Sequence, residues 1–358
     1  MLIDRLVKGD CEGDILYRKY NRVKLYLILA MVGIIAVTML YSLSISKYPV
    51  SFTHALEIVW DRLTVGPSGT VEEMVVYDDL VPRTIIAAVT GASLAVAGAV
   101  MQSMLHNPLA DPYTTGVSSG ASLGASVFIV LGVTLIPLGG NVGLISNAFV
   151  FSLIPATIIL LLSAFRRITS TTMILIGIGV MYMFSAFTQM LKLQATPQQM
   201  DLLYRWQLGS LAECSISDIG VIIIVCTACC LLLYRFRSDL NLLSVGDKPA
   251  LTMGTNPWRL RILCLLIVSL MTSVVVSFTG VIGFVGLVAP QMVRMFMGSD
   301  NRYLLPASAA FGGAFLLICD CVGRIVGTTG VPVGVITAII GSPLFLYMLV
   351  KRSRKITI

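Results

Sequence analysis

The chain is poor in charge. Only 12% of its 358 residues are Asp, Glu, Lys or Arg, about half the share found in soluble globular proteins. Histidine is scarcer still, with His54 and His106 alone. That leaves no His-Glu-x-x-His zinc motif and gives His106 no metal-ligand companion. No Ser/His/Asp arrangement stands out, and no Gly-x-x-x-x-Gly-Lys-Ser/Thr phosphate loop occurs. The chain is therefore not read as an enzyme and is not expected to hydrolyse ATP. Acids are nearly missing from its long apolar runs, where only Asp218 and Asp320 fall, each near one end. An ion-gradient-driven secondary transporter, the rival class, needs polar ion sites near mid-membrane, and these runs offer almost none.

What the chain has is apolar length. It is 56% hydrophobic, with mean hydropathy +0.90, and reads as an all-α polytopic membrane protein. Ten apolar segments are expected to span: 25–43, 84–105, 117–136, 142–165, 173–191, 216–234, 260–278, 281–297, 304–321 and 331–350. The eighth is the weakest, because it holds Pro290 and Arg294. Ten spans put both termini on one side. With that side cytoplasmic, 19 of the 25 basic residues lie inside. The outer six are Lys47, Arg62, Arg83, Lys192, Arg205 and Arg324, as the positive-inside rule requires. The net charge of +7 then reflects cytoplasmic loops, and no nucleic-acid partner is expected. Residues 1–24 and 351–358 read as cytoplasmic tails around a single membrane domain, 25–350.

The eight cysteines do not form a framework. Cys226-x-x-Cys229-Cys230 has a metal-like spacing but no second pair, so these read as small apolar helix residues.

Breaks in the apolar pattern carry more information. The tract from His106 to Ala121 holds Pro108 and Pro112, which stop the preceding helix. Asn107 and Asp111 are placed to bond the freed backbone groups. Gly283 and Gly286, before Pro290, are expected to allow a sharp reversal and close helix contact. Ser51–Leu63 is expected as a short surface helix in the outer segment. The inner loop Arg235–Arg259 reads as two short helices broken at Gly246 and ended at Gly254. Its apolar residues are too few to span and too many for a solvated linker, which points to a docking surface.

In order along the chain stand Asn107-Pro108-Leu109-Ala110-Asp111-Pro112, Gly116-Val117-Ser118-Ser119-Gly120-Ala121, Gly283-Phe284-Val285-Gly286-Leu287 with Pro290, and Pro332-Val333-Gly334 followed by Thr337-Ala338, Gly341 and Pro343. Over about residues 20–352 this series resembles the FecCD, or type II importer, permeases of the ATP-binding cassette superfamily, which import iron chelates, haem and cobalamin. The resemblance implies a ten-span permease fold. It implies a homodimer, or a pair with a close paralogue, in the cytoplasmic membrane of a prokaryote. Two cytoplasmic ATPase subunits would carry ATP and Mg, with no cofactor in this chain, and an extracytoplasmic binding protein would deliver a ferric siderophore, haem or cobalamin.

It also implies roles. Asn107 and Leu109, with Thr171 and Thr172 and the neighbouring Ser170, match a cytoplasmic gate. The loop at about 239–256 matches the ATPase-coupling helices, with Leu243, Ser244, Gly246, Asp247, Ala250, Met253 and Gly254 as contact candidates. Arg83 and Arg324 match basic residues that receive acidic side chains of the binding protein. Read from the residues alone, Asp320 is sooner a structural partner of Arg324, one helical turn away, than a functional intramembrane acid. One departure from the pattern is Leu80, where the family often has a further arginine.

Overall fold

The computed structural model describes residues 13–48, 50–136, 140–165, 169–327 and 330–353. The expected inner pair Arg166-Arg167, half of the expected N-terminal tail and most of the C-terminal one lie outside these ranges. Within them every regular element is a helix.

The first helix, α1 (Gly13–Ser42), begins inside the stretch expected as a tail and runs without interruption into the first apolar segment. Most of its membrane length faces outward. A surface helix follows, α2 (Phe52–Thr64), and Ser51 caps it by accepting from the His54 amide. Then comes α3, continuous over Val71–Leu105, the longest helix and the most buried. Its composition explains its central place. Ala, Gly and Ser crowd residues 91–103, so neighbours approach its backbone closely. A Cβ added at Gly98 would lie 1.8 Å from the Gly286 carbonyl oxygen, and one at Gly91 would lie 2.3 Å from that of Gly312.

Around α3 stand α4 (Val117–Leu131), α5 (Gly140–Phe165) and α6 (Ser170–Lys192), then α7 (Pro197–Gln207) and α8 (Ile216–Arg235). The connector at 235–259, expected as an inner loop, supplies α9 (Arg237–Leu243) and α10 (Asp247–Thr252), in keeping with its punctuation by Gly246 and Gly254, both at positive φ. The bundle closes with α11 (Pro257–Thr279), α12 (Val285–Met297), α13 (Asn301–Ile325) and α14 (Val333–Ser353).

Eight of the ten expected segments lie on helices long and apolar enough to cross a membrane. The other two, 117–136 and 281–297, do not. The helix α4 has 15 residues and α12 has 13, so they reach roughly 20 Å against a hydrocarbon core of about 30 Å. Each is cut short by backbone that cannot be helical. A 3₁₀ turn, Pro112–Thr115, precedes α4, and Gly132 at positive φ ends it. Before α12, Gly280 and Phe284 both have φ of 68°, which takes 280–284 out of the helix. The expected reversal at Gly283 therefore occurs at its neighbours, while Gly286 makes the close contact. Protein neighbours satisfy these irregular stretches. The Ser210 amide donates to the Thr279 carbonyl at 2.9 Å, and the Tyr113 hydroxyl donates to that of Ile282 at 3.0 Å. Only backbone enclosed in this way is tolerated at membrane depth.

The two ends of α3 carry different structures. Its start packs under α2, forming a cap. Its end meets the 106–116 hinge and the α9–α10 connector.

Candidate functional site

The hinge begins where α3 stops. His106 takes the left-handed conformation at φ 53°, and Pro108 prevents the helix from resuming. The two polar side chains do what the sequence led us to expect. Asn107 Oδ1 accepts from the Leu109 amide at 2.9 Å, and Asp111 Oδ1 accepts from that of Thr114 at 2.9 Å. Burial pushes the Asp111 carboxyl up to about 6, against the lowering effect of that backbone bond. Gln291 on α12 donates to the Pro108 carbonyl at 3.0 Å, so the hinge is braced from a second helix.

The connector is fastened to this hinge. Arg261, in the first turns of α11, donates through Nε to the Met104 carbonyl at 2.9 Å and through its terminal nitrogens to Asp247 at 2.6 and 2.8 Å. Those bonds hold the Asp247 carboxyl below its usual range. The His106 ring meets the Leu243 carbonyl. On the other side, Asn241 accepts from the backbone amide of Asn301 at 2.8 Å and donates to Asp300 at 2.7 Å. The connector is thus tied to α3, α11 and α13.

These ties sort the expected coupling residues. Leu243 and Ala250 are fully buried and support the connector from within, so their side chains cannot meet a partner. Asp247 is spent largely on Arg261. Ser244, Met253 and Gly254 are exposed and Gly246 is half-buried. Two apolar residues that sequence reasoning passed over, Val245 and Leu251, are exposed, as is Met253. Together these three give the connector an apolar outer face.

The expected gate residues occupy two places. Leu109 projects from the hinge, exposed, while Asn107 is occupied in holding the turn. Ser170, Thr171 and Thr172 form the first turn of α6, where Thr169 caps the helix by accepting from the Thr172 amide at 3.3 Å. Among the described residues no hydrogen bond joins these two groups within one chain.

At the cap end, Asp320 is completely buried between two arginines. Arg83 donates to it through Nε and a terminal nitrogen at 2.8–3.1 Å, and Arg324 through Nε at 2.8 Å. Arg324 also donates to the Ser42 carbonyl at 2.9 Å, tying in α1. The two arginines expected to dock a partner differ in exposure. The Arg324 side chain is 4% exposed and fully engaged, whereas Arg83 keeps 15%. Removing Arg324 from this nest would leave the buried carboxylate with Arg83 alone.

Sequence reasoning missed Arg261, Asn241, Asn301 and Gln291 and gave His106 no role. The one available signal was an arginine inside the first turns of an apolar helix, which is costly unless paired.

The FecCD transport family model matches residues 34–351. The chain belongs to the FecCD transport family. An ABC transporter permease protein of Methanocaldococcus jannaschii is 34% identical over 349 residues, covering 95% of this chain and 98% of its own length. A hemin transport system permease protein of Yersinia pestis is 35% identical over 272 residues, 76% of this chain and 81% of its own. The fold agrees. A metal-chelate type ABC transporter solved in an inward-facing conformation superposes with a TM-score of 0.80 at 27% identity, over 91% of this chain and 99% of that one. The FecCD chain is thus a helical transport permease, and its hinge, connector and cap are parts of a transport machine.

Proposed function

We propose that this FecCD chain is the translocation subunit of an ATP-binding cassette importer that carries an iron chelate across the cytoplasmic membrane. The observation that supports this most directly is the α9–α10 connector. It presents an apolar outer face of Val245, Leu251 and Met253, and its inner face is bonded to the end of α3, to α11 and to α13. A partner that moves this connector moves the hinge with it. In this reading the partner is an ATPase subunit, one on each of two permease chains, and ATP with Mg is bound there. Leu109 and the Thr171-Thr172 turn close the cytoplasmic end between the two chains. A binding protein docks at the cap end, where Arg83 offers the partly exposed guanidinium and Arg324 holds Asp320 behind it.

The substrate class rests on the family. Relatives of nearly equal identity are described as permeases for hemin, for cobalamin (34% over 310 residues, Halobacterium salinarum) and for Fe(3+)-citrate (33% over 334 residues, Bacillus subtilis). Degree of identity does not choose among them, and a ferric chelate is taken first.

Co-purification and reconstituted uptake test the reading. The chain is expected to retain a cytoplasmic ATPase and to lose both that partner and uptake when residues 240–255 are deleted. Uptake that persists with no ATPase bound would sink the proposal.

A further inference from the structure

Between α4, α6 and the end of α7 lies an open cavity of about 320 Å³. Helical spacing builds its wall. Ser118 and Ser122 are one turn apart on α4, and Ser185, Gln189 and Lys192 follow one face of α6. Two further hydroxyls in the wall, on Ser119 and Thr188, are spent on the carbonyls of Gly116 and Phe184 in their own chain turns. Ser118, Ser122, Ser185 and Gln189 are not: among the described residues no protein group bonds their side chains. Four polar side chains thus stand uncommitted around one space.

The charge at the rim has a single sign. Among the described residues Lys192 is the only ionisable one in the wall, and no Asp or Glu lines it. Its ammonium donates to the Gln207 side-chain oxygen at 2.9 Å and lies 5.3 Å from the centre of the Tyr204 ring. Neither partner neutralises it. An ammonium has three donors, so donors remain for a ligand. Among the described residues the wall also contains no aromatic side chain, which speaks against a flat macrocycle lying on it. The volume is at the low end of small-molecule sites, about 300–1,000 Å³, enough for a polycarboxylate or one lobe of a larger chelate.

We propose that this cavity is an anion subsite on the transport path, in which Lys192 and the free hydroxyl and amide groups of Ser118, Ser122, Ser185 and Gln189 receive the negatively charged, oxygen-rich face of the carried solute. The proposal rests on the transport reading above and narrows its substrate class to anionic oxygen-donor chelates.

The test needs no knowledge of the solute. In the full chain reconstituted in lipid, Ser185→Cys is labelled with an anionic sulfonate thiosulfonate and with a cationic trimethylammonium one. Each rate is normalised to that on free cysteine and corrected for labelling of the unsubstituted protein. The anionic reagent is expected to be favoured by about tenfold, the effect of one nearby, partly screened charge. Adding Lys192→Gln should abolish the preference, and Lys192→Arg should preserve it. Equal normalised rates, or a preference that survives Lys192→Gln, would overturn the proposal. Ser122→Cys provides the same readout if Ser185→Cys does not fold. Uptake of iron(III) chelates is measured separately. Loss of uptake with the labelling preference intact counts against the transport reading and leaves the subsite standing.

Discussion

Arg261 holds Asp247 with two bonds and the Met104 carbonyl with a third. A single guanidinium therefore links the connector to the last turn of α3. The arginine is buried while the carboxylate remains about half exposed, so the arginine depends on the pair more than the aspartate does.

Arg261→Ala is expected to uncouple the machine. The bonds are charge-assisted but partly open to water, so the loss of stability should be modest, about 1 to 2 kcal/mol. The functional loss should be larger. In reconstituted vesicles with the ATPase partner, ATP hydrolysis should continue while uptake falls at least about tenfold. Proportional loss of both activities would argue against a coupling tie.

Asp320→Ala leaves Arg83 and Arg324 facing each other without their shared carboxylate. Removing one member of a buried ion cluster typically costs about 3 to 5 kcal/mol. A marked fall in the thermal midpoint of the purified protein is expected. Arg83→Gln should cost less than Arg324→Gln, because Arg83 is the more exposed. Arg83→Glu should weaken capture of the binding protein in a pull-down. Unchanged capture would remove Arg83 from the docking surface.

The cap should loosen as pH rises. His54 bonds Glu72 at 2.7 Å and Glu57 at 3.3 Å, and those hydrogen bonds raise its pKa above the ordinary 6.5. A raised histidine contributes its stabilisation in full below the unfolded value, about 6.5, and loses it as pH climbs through the higher folded value. Hydrogen exchange over residues 52–73, corrected for intrinsic rates, should quicken as pH rises above about 6.5 and through the raised value of His54. The His54→Gln protein should show no such change.

Gly98→Ala tests the helix packing. The new methyl would occupy the space of the Gly286 carbonyl, and both sides of the contact are backbone. Overpacking of this kind costs about 1 to 3 kcal/mol or more. Poor expression or a lowered thermal midpoint is expected. Gly179→Ala, where a Cβ meets nothing within 4 Å, is the matched control.

The hinge and the connector were legible because proline and glycine act locally. The helices break at Pro108, Pro112, Gly246 and Gly254, whereas Pro155, Pro290, Pro306 and Pro343 are carried inside helices. The ties between the two regions were not legible. His106 meets Leu243, Asn241 meets Asn301 and Arg261 meets Met104 across long stretches of chain, and only the packed bundle brings them together. The two short helices were missed for another reason. Hydropathy measures composition, and nothing in the composition of 281–297 reveals that Phe284 adopts a left-handed backbone. The arginine pair at the cap was visible as two positive charges near helix ends. The pairing of Arg324 with Asp320, one turn away, was legible too, but that Arg83, 237 residues from Asp320 in the chain, shares the same carboxylate required the fold.

One helix, α3, reaches from the cap to the hinge as 35 consecutive residues, a rod of roughly 50 Å. At the cap, Glu73 near its start accepts from Arg62 at 2.7 Å and from the Ser68 amide. At the other end, Met104 and His106 hold the connector. A beam fixed to a load at each end needs no relay of side chains between them. Tilting it by about 5° about its middle displaces each tip by roughly 2 Å in opposite directions, given that length. A binding protein pressing on one face of the membrane and an ATPase pulling on the other would then be working the two arms of the same lever.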